Sequence, residues 1–193
     1  CNNPLEKEKK IALTFDDGPS EFTLEVLELL KKYNAKAAFF CIGKNIEKHP
    51  EIVKQIIAQG HLVGNHSYSH SKFFDFYNAG QIQEEIEKTD ALLEKFTSKK
   101  INFFRPPYGV TTPSIRRALE KTNHKVIGWN IRSLDGGTKN QELILNRITK
   151  RVSPGGIVLL HDTGEHSVLV LEQFLQFLQQ NNYKLISVEE LLK

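Results

Sequence analysis

Short apolar runs alternate with longer amphipathic stretches about seven times along this chain, and few architectures accept that order. Strands are expected over residues 11–15, 37–42, 61–64, 101–104, 126–131, 157–160 and 185–188. Helices are expected over 23–33, 50–59, 81–96, 113–121, 141–150 and 167–180. The first helix should turn Leu24, Leu27 and Leu30 inward. The second opens on Pro50 and is followed by Gly60. Such a βα order argues for an α/β fold with a parallel sheet, closed as a barrel or open and doubly wound. The polar residues of note stand just after predicted strands: Asp16, Asp17, His66, His70, Arg105, Asp135 and His161. In a barrel those strand ends share one rim, where catalytic groups converge. Five strands feeding one rim favour the barrel, and seven units rather than eight make it a distorted (β/α)7 barrel.

The 193 residues suffice for one domain with a full core, and 39% hydrophobic with 25% charged residues is an ordinary globular composition. The net charge is only +3, with basic residues scattered in ones and twos, so no nucleic-acid footprint is expected. Residues 1–10 read as a charged N-terminal tether and 11–193 as one catalytic domain. No apolar stretch approaches a membrane span.

The two cysteines, Cys1 and Cys41, do not make a disulfide framework. Cys41 lies in an apolar run and reads as a buried, inert thiol. The chain contains no Met and starts at Cys1-Asn2-Asn3-Pro4 before a charged stretch. That start looks like the mature end of a bacterial lipoprotein, with a lipid anchor on Cys1. An arbitrary starting point is the equal alternative.

The strongest chemical signal is a pair of segments. Thr14-Phe15-Asp16-Asp17-Gly18-Pro19 ends one apolar run, and His66-Ser67-Tyr68-Ser69-His70 ends another. Histidines at i and i+4 share a face if the segment makes one helical turn. With one carboxylate they complete an open, catalytic metal set that activates water. The adjacent carboxylate can act as base, and Asp16 is the obvious supplier, because Ser67 stands where the zinc-protease motif has its Glu. On its own, Asp-Asp-Gly-Pro reads more simply as a turn. In Arg105-Pro106-Pro107-Tyr108, two prolines remove two donors, so Tyr108 offers the next rigidly placed N–H, suited to an oxyanion. Arg105 would orient Asp16; a plain surface loop is the alternative. His161 at a strand end suits a general acid, with Asp135 raising its pKa; a structural role remains open for both. Asp162 reads as a turn or cap residue, and His49, His61, His124 and His166 as structural or surface residues. The cluster Phe73-Phe74-Asp75-Phe76-Tyr77 either stacks on sugars or, more simply, packs a loop onto the core.

Together these segments resemble the polysaccharide deacetylases of carbohydrate esterase family 4, the NodB-homology domain, over residues 11–188. The resemblance implies that Asp17, His66 and His70 bind a divalent metal, zinc first among candidates. It implies Asp16 as base, Arg105 as its orienting partner, the Tyr108 N–H as oxyanion donor, and His161 as acid tuned by Asp135. Leu159 would line the pocket for the acetyl methyl. The implied activity is N-deacetylation of an amino-sugar glycan, chitin-like or peptidoglycan, by an exported monomer at the periplasm or cell surface; a cytoplasmic enzyme is the alternative. An O-acetyl xylan esterase and a decayed sugar-binding module are the rival readings. One motif departs: Arg132 and Gly136 stand where the family has Asp and Trp. Either Trp129, Phe73, Phe74 or Phe76 replaces the lost pocket wall, or the pocket is wider.

Overall fold

The computed structural model describes residues 2–193; Cys1, and with it the lipid-anchor expectation, lies outside the described residues. Eight strands form one parallel sheet: β1 (Lys10–Asp16), β2 (Ala38–Cys41), β3 (Leu62–Asn65), β4 (Phe103–Phe104), β5 (Lys125–Val126), β6 (Ile131–Arg132), β7 (Gly156–His161) and β8 (Lys184–Leu185). Eight helices accompany them: α1 (Glu21–Lys32), α2 (Gly43–Lys48), α3 (Pro50–Ala58), α4 (Ala79–Leu93), α5 (Pro113–Thr122), α6 (Gln141–Thr149), α7 (Glu165–Gln180) and α8 (Val188–Leu191). The strand order is β5-β4-β3-β2-β1-β7-β6, with β8 on β1. β1 carries β7 along one side from Ile11 to Asp16. Its other side takes β8 at Lys10 and Ile11 and β2 at Thr14–Asp16.

The strand expected over 126–131 is split, and the split closes the barrel. Its first part, β5, pairs with β4, while β6 pairs with β7 at the opposite sheet edge. Between them Ile127 N–H donates to Phe104, and Asn130 binds Ile157 through both its backbone and its side chain. One segment thus holds both edges, giving the distorted (β/α)7 barrel that the strand count predicts.

β1 is buried on both faces, as a central parallel strand must be. Ile11, Leu13 and Phe15 face the helix layer with Phe39, Cys41, Val158 and Leu160. Ala12 faces inward with Ala38, Phe40, Ile127 and Ile157. Small residues at the axis keep the interior narrow and leave room above it for Thr14 and Asp16. Cys41 is fully buried, and burial pushes its thiol well above the ordinary range.

Some expectations need correcting. Leu24 does not face the core; it is 38% exposed, and Thr23, Val26, Leu27 and Leu30 are buried instead. The reason lies in Thr23, whose hydroxyl is fixed to Asp162 and sets the helix rotation. α2 and α8 were not expected, because each is a single short stretch with too few apolar positions to show a period. α4 starts two residues early because Asn78 and Gln81 form a reciprocal capping box. The charged N-terminal segment is pinned at Asn3, whose backbone donates to Gly155 and whose side chain donates to Leu191.

Candidate active site

The carboxyl ends of β1, β3, β4, β6 and β7 bring the sequence-selected residues to one rim. Asp16 ends β1 opposite His161, which ends β7. His66 follows β3 and Arg105 follows β4, where Asn65 pairs with Phe104. Backbone strain gathers on this rim. Among the described non-glycine residues with positive φ, Asn34, Asn123 and Asn182 lie just after helices α1, α5 and α7. The other five are Asp17, Ser67, His70, Tyr108 and Leu134, all on loops at the rim. Strain of this kind persists where the surroundings fix it, commonly at functional sites.

Asp17, His66 and His70 offer ligand atoms within 4.8 Å of one another. Both imidazole Nε2 atoms lie 3.3 Å from Asp17 Oδ1. The expected helical turn between the histidines is absent. Residues 66–70 form a loop, with Ser67 at φ 63° and His70 at φ 47°, and those two turns bring the rings to 4.9 Å. The donor set fits a divalent cation. Asp17 Oδ1 is buried without a hydrogen-bond partner, so its lone pairs are directed at the histidines alone. His66 Nδ1 is 2.7 Å from the Arg105 carbonyl, so it carries the proton and Nε2 keeps a free lone pair toward the centre. Burial pushes the Asp17 carboxyl up, but the histidines around it prevail and hold it at about 2.

Asp16 stands beside this set, its Oδ2 3.8 Å from His66 Nε2. Its other oxygen accepts from Arg105 at 2.6 Å. Arg105 is fully buried, so the plain-loop alternative is ruled out for it. Its guanidinium also donates to Thr14 Oγ1, Ile127 O and Gly128 O, and lies 4.1 Å from the Phe40 ring centre. With every edge engaged, the guanidinium has one orientation and so does the carboxylate it holds.

Across the rim, His161 Nδ1 meets Asp135 Oδ1 at 2.6 Å, leaving Nε2 directed to the centre, 3.9 Å from Asp17 Oδ2. Asp135 is buried and also accepts from Ser133, Ser167 and the His161 backbone. Burial lowers the His161 pKa, but the Asp135 carboxylate and the acidic pair Asp17 and Asp16 outweigh it and raise it to about 9. His166 supports the same loop by reaching the Asp135 carbonyl at 2.8 Å.

Tyr108 sits at φ 57° on a 3₁₀ turn (Pro107–Gly109), its ring 4.8 Å from that of His70. Leu159 is buried two residues before His161 and so shares its face of β7. Trp129 packs on Gly109, where a Cβ would collide with its ring, and lies 5.4 Å from the Arg105 guanidinium. Phe74 is buried between α4 and β4 and cannot line the pocket. Gly136 leaves the face of His161 uncovered: a Cβ there would sit 3.6 Å from the imidazole. The exposed Arg132 contributes nothing to this rim beyond its carbonyl, which accepts from Arg147.

Two supports had no visible sign in the sequence. Glu85 on α4 accepts through one oxygen from the Tyr68 N–H, the Ser69 N–H and the Ser69 hydroxyl, gripping the loop between the two histidines. Asn65 steadies the same loop, accepting from Ser67 N–H and donating to Asp90. Asp162 stands in the bend after β7, but its carboxyl does not serve the turn. It is buried beneath Gly18, accepts from Thr23, and its Oδ1 has no partner. Burial raises its pKa to about 7.

Comparison with known proteins agrees with this geometry. The sequence profile of the polysaccharide deacetylase family matches residues 4–127. A peptidoglycan-N-acetylglucosamine deacetylase of Bacillus cereus is 33% identical over 189 residues, covering 95% of this chain and 68% of the relative. The solved peptidoglycan deacetylase PdaC of Bacillus subtilis superposes with a TM-score of 0.90 at 30% identity, over 96% of this chain and 91% of that one. A pseudoenzyme of carbohydrate esterase family 4 from Bacillus anthracis superposes at 0.89 with 28% identity, over 97% and 66%. No described helix is long and apolar enough to cross a membrane. With a profile match across most of its length and relatives at this level of identity, the chain belongs to the polysaccharide deacetylase family, the NodB-homology proteins of carbohydrate esterase family 4.

Proposed function

We propose that this protein is a cation-dependent hydrolase that removes N-acetyl groups from amino sugars of a cell-wall glycan. The supporting observation is the flanking of Asp17, His66 and His70 by the Asp16–Arg105 pair on one side and the His161–Asp135 pair on the other. A divalent cation held by those three residues, zinc by the nature of the donors, supplies a Lewis acid that acidifies water and polarises the amide carbonyl.

The chain's own groups then divide the proton work. Asp16 Oδ2 takes the proton of the attacking water, and Arg105 keeps that oxygen aimed at it. The Tyr108 N–H donates to the oxygen on which charge develops. His161 Nε2 gives its proton to the departing sugar nitrogen, and Asp135 keeps the imidazole charged and upright. Leu159 provides an apolar wall for the acetyl methyl. The uncovered face at Gly136 makes the pocket wider than the family's usual one, and Trp129 borders it from the Gly109 side. The intact base and acid argue against the binding-module reading. A wall glycan as substrate would put its action outside the cytoplasm.

The test is acetate release from N-acetylglucosamine oligomers and from acetylated xylan, with EDTA and with zinc restored. Zinc-restored release from the oligomers is expected. Release from xylan alone would replace the amidase by an esterase, and silence on both would overturn the proposal.

A further inference from the structure

The aromatic cluster after His70 is divided: Phe74 and Tyr77 pack onto the core, whereas Phe73 and Phe76 do not. Residues Phe74–Phe76 form a 3₁₀ turn closed by Phe76 N–H donating to Phe73 O at 2.9 Å. Residues three apart on such a turn eclipse one another, so Phe73 and Phe76 share a face. That face points to solvent: Phe73 is 67% and Phe76 85% exposed. Phe74 points the other way, fully buried 6.4 Å from Phe104, and bolts the turn to the strand that leads into Arg105.

Single exposed apolar side chains need no explanation, but a pair on one face beside a candidate site marks a binding surface. This pair starts three residues beyond His70. Tyr108, 49% exposed, rests on the ring of that same His70. The exposed rings therefore extend the rim outward from the candidate metal set. Aromatic faces of this kind suit the C–H face of a pyranose ring, which is apolar although the sugar's edge is hydroxylated.

We infer that Phe73 and Phe76 form a stacking platform for a sugar ring adjacent to the one deacetylated, so that the protein takes glycan chains rather than single sugars. This rests on the glycan-deacetylase reading above, and the following experiment separates the two.

The double variant F73A/F76A and the wild type are compared on the β-1,4-linked dimer and pentamer of N-acetylglucosamine. Acetate release is measured with zinc, and pentamer binding is measured by calorimetry on EDTA-treated protein. Thermal melts check folding, and the aromatic variant F73W/F76W should restore binding. The platform predicts that the alanine variant raises KM about tenfold for the pentamer and for the dimer, which also carries the adjacent ring, at unchanged kcat, and weakens pentamer binding in parallel. Equal pentamer binding by alanine variant and wild type, or no binding by the wild type, overturns the platform. Pentamer binding that the alanine variant loses, with no acetate released by either protein, keeps the platform and rejects the deacetylase. If light scattering finds a wild-type dimer that the variant turns into a monomer with glycan binding unchanged, the face is a contact between copies and the inference fails.

Discussion

Asp162 gives the sharpest quantitative test of the electrostatics beneath the site. Its carboxyl is fully buried under Gly18, one oxygen accepts from Thr23 at 2.5 Å, and the other has no partner. Burial raises its pKa from 3.8 to about 7, opposed by the Thr23 hydrogen bond and helped by the charges of Asp17 and Asp16. The folded state therefore holds a proton that the unfolded chain releases. Stability from this group is complete below pH 3.8 and is lost as pH climbs through 7. Between pH 5 and pH 8 the loss corresponds to about two pKa units, or about 3 kcal/mol. Asp162→Asn keeps the shape and the acceptor for Thr23 but cannot ionise. In EDTA-treated protein, the difference in stability between D162N and wild type should shift by about 3 kcal/mol in favour of the variant between those two pH values. For a chain of this size that is about 5–10 °C in Tm. Urea unfolding at both pH values, with m unchanged, measures it. A difference that stays constant from pH 5 to pH 8, or moves toward the wild type, would refute the claim that Asp162 is buried as a neutral acid.

Two further outcomes follow from the rim. Asp135→Asn removes the charge that keeps His161 protonated up to about pH 9, so the alkaline limb of kcat should move acid by about 1–3 units; a limb that stays in place would remove Asp135 from its role. Glu85→Ala leaves three donors of the histidine loop without their acceptor. Zinc affinity, read by chelator competition, should fall about 10–100-fold, with Glu85→Gln retaining most of it; wild-type affinity in the alanine variant would contradict the clamp.

The rim residues were legible because each follows an apolar run, so strand order alone delivers Asp16, His66, Arg105 and His161 to one end of a parallel barrel. The fine geometry was not. The histidine spacing suggested a helical turn, whereas two left-handed residues, Ser67 and His70, do the work in a loop. The split of the strand over 126–131 was hidden because apolar pattern reports burial and says nothing about which edge a residue pairs with. Glu85 and Asp162 were opaque for a similar reason. Asp162 is 139 residues from Thr23, and a buried acid next to a histidine has the same local sequence as a turn. Glu85 looks like any charge on an amphipathic helix until the loop it grips is seen above it.

The split strand has a consequence for how activity and folding are joined. The barrel has a seam, and the segment crossing it is fastened by the same guanidinium that holds Asp16: Arg105 reaches Ile127 O at 2.8 Å and Gly128 O at 3.2 Å. Those two bonds tie the guanidinium, and through it the Asp16 carboxylate, to the segment that bridges the two sheet edges. A loosened seam would thus also loosen the aim of the carboxylate. Turnover would then report complete assembly, and a chain arrested one strand short of it would be well packed, largely native in secondary structure, and silent.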